Sequence, residues 1–181
     1  MDPELGRETR VILFWDLHNY SVAARQLGAR QASFLQESYE RMGEIVVSHG
    51  GTIVKYLGDS MLCVFPERGE SQAVGCALEM RPAFAALAQE WRLPADTELE
   101  VGIASGEVAT GVFGHRSLRM WDVFGETVSV AATIGHHEGI AVTEGVRDAV
   151  HGAHETRRLP DLKVKWQDEP LRIWEVVEVT A

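Results

Sequence analysis

Two aspartates stand where strands are predicted to end, and carboxylates at such places suit metal binding. Asp16 closes the apolar run of residues 10–17 (RVILFWDL), and Asp59 lies in the Gly-Asp turn of the segment KYLGDS. If the flanking strands are neighbours in a sheet, the two carboxylates can hold Mg²⁺ or Mn²⁺ ions, which prefer oxygen ligands. The backbone carbonyl of Leu17 is a candidate further ligand. Each aspartate taken alone has a simpler interpretation, as a capping or turn residue.

The elements that would position this pair follow from the hydrophobic pattern. Strands are predicted at 10–17, 52–57, 61–65, 98–105 and 107–113, helices at 30–49, 72–88 and 125–136, and short tail strands at 139–142, 162–165 and 171–179. Pro82 predicts a kink or a break in the second helix. The order indicates an α+β fold with a ferredoxin-like βαββαβ core and additional C-terminal strands. Its helices are expected to pack on one face of a mainly antiparallel sheet.

Composition limits the classes of partner. The 181 residues carry a net charge of −10, which disfavours binding to a nucleic-acid backbone. No run of about 18 apolar residues is present, so no membrane span is expected in this segment. Cys63 and Cys76 lie in apolar runs and predict buried thiols in a reducing cytoplasm. Residues 1–9 are interpreted as a flexible lead-in or linker, and residues 10–181 as one domain.

The flanks of the two aspartates form a longer pattern. In chain order its blocks are Phe14-x-Asp16-Leu17-x-x-Tyr20-Ser21, Lys55-x-x-Gly58-Asp59, Val101-Gly102-Ile103-x-Ser105-Gly106-x-Val108, Gly125-x-Thr127-Val128 and Val164-Lys165. Their order and spacing resemble the class III adenylate and guanylate cyclase catalytic domains, over nearly the whole chain. The resemblance implies a nucleotidyl cyclase that uses two divalent metal ions, Mg²⁺ or Mn²⁺, at the interface of a head-to-tail homodimer.

The resemblance also implies roles for single residues. Asp16 and Asp59 match the metal-binding aspartates, while Lys55 and Asp122 match the positions that bind the purine base. A lysine donates to ring nitrogens and an aspartate accepts from an exocyclic amine, so this pair favours adenine. GTP or a pyrimidine nucleotide stays open as the substrate.

Contacts with the triphosphate are implied at other positions of the chain. Lys165 matches a lysine that binds the phosphates, and Tyr20 and Ser21 belong to the block that follows the first metal ligand. Arg116 or Arg119 is a candidate second phosphate contact, since guanidinium groups suit phosphate oxygens.

The sequence departs from the family on the helix after Gly125. Members of the family carry an asparagine and, four residues later, an arginine that stabilises charge in the transition state; here the positions are Ser129 and Thr133. Loss of one such group typically costs about 10²–10³ in rate. His136 or His137 could compensate for the missing charge, although a surface turn is the favoured interpretation of both histidines.

Two hypotheses of different classes result. The leading one is a homodimeric cyclase of signal transduction that forms cyclic AMP and pyrophosphate from ATP. The alternative is a catalytically impaired domain that binds nucleotide and dimerises as a regulatory module. In either case the domain is expected to be cytoplasmic and could be attached to a sensor or regulatory domain. An RNA-binding module on a similar sheet is disfavoured by the acidic charge.

Overall fold

A computed structural model describes residues 6–177 of the chain. Within these residues lie eight strands and five α-helices, with one short 3-10 turn at Gly28–Arg30. They are, in order, β1 (Gly6–Leu17), α1 (Tyr20–Leu27), α2 (Gln31–Ser48), β2 (Thr52–Leu57), β3 (Ser60–Phe65), α3 (Glu70–Trp91), β4 (Leu99–Phe113), β5 (Met120–Phe124), α4 (Glu126–Ile134), β6 (Ile140–Thr143), α5 (Glu144–Ala149), β7 (Thr156–Arg158) and β8 (Ile173–Val176).

The strands form one sheet in the order β2-β3-β1-β4-β6-β8-β7, with β5 paired to β4. All pairs are antiparallel except β4 with β6. The order of the first four strands, with α1 and α2 before β2 and α3 before β4, is that of the predicted ferredoxin-like core. The α+β prediction with additional C-terminal strands is therefore confirmed.

The apolar run of β1 is buried on both of its faces. Val11, Leu13 and Trp15 belong to the core shared with α1, α2, α3 and α5, whereas Ile12 and Phe14 belong to a second core shared with α4. The prediction of helices on one face is thus wrong for α4, which packs on the opposite face. A strand covered on both faces has no polar alternation, which explains its continuous apolar sequence.

The start of the domain also differs from the prediction. β1 begins at Gly6, so residues 6–9 of the predicted lead-in belong to the sheet, while residues 1–5 lie outside the described part of the chain. Arg7, Glu8 and Thr9 are paired with the far half of β4. This end of β1 is held by backbone pairing rather than by side-chain burial. Its sequence is therefore polar, and the hydrophobic pattern did not predict it as a strand.

Several other predicted elements are corrected. β4 is one continuous strand rather than two joined at Ser105-Gly106, and α3 continues through Pro82. Pro82 itself is exposed, while Phe84 and Leu87 beyond it are buried, so packing of the inner face holds the helix together. The predicted strand at 162–165 is reduced to an isolated bridge between Leu162 and Leu171. Residues 178 and 179 of the last predicted strand lie outside the described residues.

Elements that the pattern missed are short or polar: α1, β5, α5 and β7. Among residues 6–177, no helix combines the length and the apolar character needed to cross a bilayer.

Candidate functional site

Asp16 lies near the end of β1, on the face of the sheet that packs against α4. One carboxylate oxygen, Oδ1, accepts a hydrogen bond from the hydroxyl of Ser60, at the start of β3. The other, Oδ2, lies 3.1 Å from Nδ1 of His136, in the turn that follows α4. Both oxygens of the predicted metal ligand are therefore held by side chains from other elements.

Asp59 lies in the two-residue turn between β2 and β3. Gly58 takes a positive φ of 70°, which glycine adopts without strain, and the hydroxyl of Tyr39 donates to the Gly58 carbonyl. Burial raises the pKa of Asp59 above its ordinary value, and the charge of Asp16 raises it further. The turn thus brings the second predicted ligand within electrostatic reach of the first.

The donor set fits divalent cations. A carboxylate such as Asp59, whose ionisation is disfavoured by burial and by a second carboxylate, is stabilised by a positive ion beside it. Across residues 6–177 no three His, Cys, Asp or Glu side chains form a ready-made metal cluster. A cation at Asp16 and Asp59 would therefore take its remaining ligands from the backbone, water and substrate oxygens.

A second polar centre joins β2 to β5. Nζ of Lys55 lies 2.7 Å from Oδ2 of Asp122, and their side chains are only 26% and 17% exposed. A register shift between Ile53 and Lys55 interrupts the β2–β3 ladder beside the lysine. The backbone N–H of Val123 donates to Oδ1 of Asp122. The ammonium also lies 5.2 Å from the centre of the Phe124 ring. The two predicted base-binding residues are brought together, each satisfied by the other.

The substituted positions on α4 carry no positive charge. The hydroxyl of Thr133 donates to the backbone carbonyl of Ser129, at 2.7 Å, so it is used within its own helix. Ser129 is exposed. Neither residue supplies the charge that an arginine would place at this surface.

The predicted phosphate contacts lie on the surface. Lys165 and Arg116 are both exposed in turns, and neither has a hydrogen bond or an ion pair with any described residue. Arg119 is exposed too. The structure does not bring these cations into contact with the two acidic positions of the same chain.

Tyr20 and Ser21 form the first turn of α1. The ring of Tyr20 is buried and stacks on Phe34, with ring centres 6.2 Å apart, while Ser21 is exposed. A substrate contact at Tyr20 would therefore use its backbone N–H, one of the first groups of a helix, which have no partner within it.

Sequence reasoning missed a pair of histidine–carboxylate contacts around Asp16. His136, interpreted as part of a surface turn, is 61% exposed by side chain and yet contacts Asp16. Glu100, opposite Asp16 in the β1–β4 register, is 4% exposed, and Nδ1 of His18 lies 3.0 Å from its Oε1. Burial raises the pKa of Glu100, and His18 opposes this rise. The signal available for the second contact was the position of His18, two residues after Asp16 and directly after the end of β1.

Comparisons with known proteins agree with this architecture. The sequence model of the family described as "Adenylate and Guanylate cyclase catalytic domain" matches residues 6–173. Adenylate cyclase 1 of Rhizobium meliloti (strain 1021) is 26% identical over 190 residues, which cover 96% of this chain and 28% of that protein. The chain spans about a third of the length of the curated relatives it matches.

Solved structures share the fold. The adenylyl cyclase CyaB of P. aeruginosa superposes with a TM-score of 0.91 at 22% identity, covering 98% of this chain and 97% of that one. The guanylyl cyclase Cya2 superposes with a TM-score of 0.84 at 24% identity, covering 94% and 92%. A protein named adenylyl cyclase and one named guanylyl cyclase thus share this fold.

Proposed function

The chain belongs to the family of adenylate and guanylate cyclase catalytic domains, and we propose that it converts ATP to 3′,5′-cyclic AMP and pyrophosphate as a homodimer. The observation that carries this proposal is the placement of Asp16 and Asp59 within electrostatic reach of each other, at the end of β1 and in the turn before the neighbouring β3, with Asp59 made harder to ionise by burial and by Asp16. Such a pair has little structural use without a cation.

The reaction requires little covalent chemistry from the protein. The ribose 3′-oxygen forms a bond to the α-phosphorus, the bond from that phosphorus to pyrophosphate breaks, and the hydroxyl proton passes to solvent. When bound, the two divalent cations activate the 3′-hydroxyl and neutralise phosphate charge. Asp16 and Asp59 would hold these ions, with the carbonyl of Leu17 as a further ligand, and the backbone N–H groups of Tyr20 and Ser21 suit phosphate oxygens. Lys165 and Arg116 would bind the triphosphate from the partner subunit.

ATP is preferred as the substrate because of the Lys55–Asp122 pair. A nucleotide base entering this site must replace the contact between the two side chains, and adenine offers an acceptor to the lysine and a donor to the aspartate. A guanine base presents a carbonyl where adenine has its amine, and Asp122 cannot donate to it. The fold itself does not decide the base, since Cya2 is named a guanylyl cyclase.

A second copy of the chain is the proposed partner. The hairpin of β4 and β5 exposes large apolar side chains: Val112, Leu118, Met120, Trp121 and Phe124. A patch of this kind is typical of a surface that another protein covers. In a head-to-tail pair, Asp16 and Asp59 of one chain would face Lys55 and Asp122 of the other. An attached regulatory segment, which the greater length of the curated relatives favours, is part of the same proposal.

One observation favours the alternative of an impaired domain that binds nucleotide without turning it over. Thr133 replaces the arginine of the family, and its hydroxyl is already bonded to the Ser129 carbonyl. Retention of both acidic positions and of the Lys55–Asp122 pair supports activity, although at a reduced rate.

The direct test is a product assay with ATP, GTP, CTP and UTP in turn, with Mg²⁺ or Mn²⁺, beside the Asp59→Ala variant. We expect cyclic AMP from ATP, a specific activity that falls on dilution as dimers separate, and no product from the variant. If no cyclic nucleotide forms although the dimer and bound nucleotide are both detected, the cyclase hypothesis is rejected and the regulatory module is favoured. Cyclic GMP as the main product would overturn the assignment of the base.

A further inference from the structure

The end of α4 rests directly on the sheet, with no side chain between the two backbones. A Cβ atom added to Gly102 of β4 would lie 2.1 Å from the carbonyl oxygen of Ala131 and 2.5 Å from the backbone nitrogen of Gly135. Contacts this short exclude every residue except glycine at position 102. The approach fixes where the helix ends and where the following turn begins.

This approach determines the position of His136. A Cβ atom on Gly135 would lie 3.2 Å from the Phe14 ring, and the imidazole of His136 meets the same ring edge-on, with centres 6.3 Å apart. Phe14 and Asp16 are two residues apart on β1 and therefore share a face. Nδ1 of His136 consequently lies 3.1 Å from Oδ2 of Asp16, even though the imidazole is largely exposed.

Among the neighbouring carboxylates, His136 makes its direct contact with Asp16, and it lies within electrostatic reach of Asp59 and Glu100 as well. Glu100, the residue opposite Asp16 in the sheet, has its own histidine, His18, on the same face. Ser60 occupies the other oxygen of Asp16. His137, the next residue, has no hydrogen bond or ion pair by its side chain among the described residues. His136 therefore makes its direct side-chain contact with one carboxylate, and His137, which makes none with any described carboxylate, serves as the control.

We propose that His136 is a positioning residue of the metal site in its own chain, which with Ser60 holds the Asp16 carboxylate in the orientation that binds divalent cations. This rests on the proposed function only in taking Asp16 and Asp59 as the cation ligands. Carboxylate ligands are in general oriented by hydrogen bonds from outer side chains, and loss of such a partner costs about 10–100-fold in metal affinity. The turn that follows α4, the helix on which Thr133 stands at the arginine position of the family, thus acts on Asp16 of the same chain.

The test measures Mn²⁺ binding directly, from the free-ion signal in electron paramagnetic resonance, with the full chain and no nucleotide at one fixed pH. We expect His136→Ala to weaken binding about 10-fold or more. His136→Asn should bind almost as well as the original chain, because its amide can donate to Asp16 from nearly the position of Nδ1. His137→Ala should match the original chain. Thermal unfolding of each variant shows that the fold is kept.

Three outcomes would overturn the inference. Unchanged binding in His136→Ala would mean that the contact with Asp16 does not orient the ligand. Tighter binding would mean that the imidazole occupies the place of the cation. The product assay tests the proposed function separately from this inference. If Mn²⁺ binding depends on Asp59 and His136 but no cyclic nucleotide forms, the inference is supported and the proposed cyclase activity is rejected. Mn²⁺ binding that is unaffected by Asp59→Ala rejects the inference as well, because the ion then lies elsewhere.

Discussion

The two polar centres of this domain are stabilised in opposite ways. Lys55 and Asp122 have opposite charges, lie 2.7 Å apart and satisfy each other in a half-buried position. Asp16 and Asp59 have the same charge, and burial together with Asp16 raises the pKa of Asp59. The first centre is complete without a ligand, whereas the second brings together two like charges, with the exposed imidazole of His136 beside Asp16, and would be stabilised by a bound cation. This difference teaches that the acidic pair is retained at a cost to the unliganded fold, as expected of a site that exists for a ligand.

The largest effect should come from the acidic pair. Asp59→Asn keeps the size of the side chain and removes its charge, so we expect turnover to fall by about 10²–10³ or more. The matched control is Asp96→Asn, an exposed aspartate that forms a hydrogen bond with Asn19 and is outside both centres. Cyclic nucleotide formation at saturating Mn²⁺ measures the effect. Equal loss in both variants would show that the acidic pair has no special role.

A gain of activity is expected from a substitution at Thr133, the position on α4 where the family has an arginine. Thr133→Arg gives up one hydroxyl bond within α4 and restores a guanidinium, so turnover should rise by about 10-fold or more. Thr133→Met, which introduces a long unbranched side chain without charge, is the control. An unchanged or lower rate in Thr133→Arg, with dimerisation intact, would show that this position does not limit the reaction.

The Lys55–Asp122 pair should show its effect as a coupling between the two substitutions. In a double-mutant cycle with Lys55→Met and Asp122→Asn, we expect a coupling of about 1 kcal/mol in the free energy of unfolding, because the pair is partly buried. Chemical denaturation of the four proteins measures it. A coupling of zero would mean that the two charges do not stabilise the fold, and the contrast with the acidic pair would disappear.

The smallest effect concerns the pH dependence of stability without metal. Since burial raises the pKa of Asp59, the folded chain holds its proton more tightly than the unfolded chain, and ionisation lowers stability. The contribution of Asp59 is therefore lost as the pH rises from its ordinary value of 3.8 through the raised pKa. Asp59→Asn should melt at a higher temperature than the original chain at neutral pH, and the difference should vanish at acidic pH. A lower melting temperature of Asp59→Asn at neutral pH would contradict the claim that ionised Asp59 destabilises the fold.

Much of the fold could be predicted because β1, β3 and the inner faces of α2 and α3 are apolar at the expected spacing. The Gly58-Asp59 turn was predictable from two residues. Other elements were not, since α5 has only Val146 as a buried residue and β7 consists of one threonine and two arginines. Their structure depends on neighbours that are distant in sequence.

The candidate site divides in the same way. Lys55 and Asp122 are separated by 67 residues, and only a family pattern could pair them in advance. The contact of His136 with Asp16 could not be predicted, because it depends on how closely Gly135, at the end of α4, approaches Gly102 in β4. Spacing along a chain indicates which residues share a face, but not how closely a helix packs on it.

The most direct test of the account is to mix two inactive variants, Asp59→Ala and the double variant Lys55→Ala with Asp122→Ala. If the two centres of one chain serve different active sites of a head-to-tail dimer, each mixed dimer contains one intact site. After unfolding and refolding together, the mixture should then recover about a quarter of the original activity, since half of the dimers are mixed and each has one of two sites. A mixture that stays inactive, although mixed dimers form, would contradict the claim that the acidic pair and the base-binding pair meet across a homodimer.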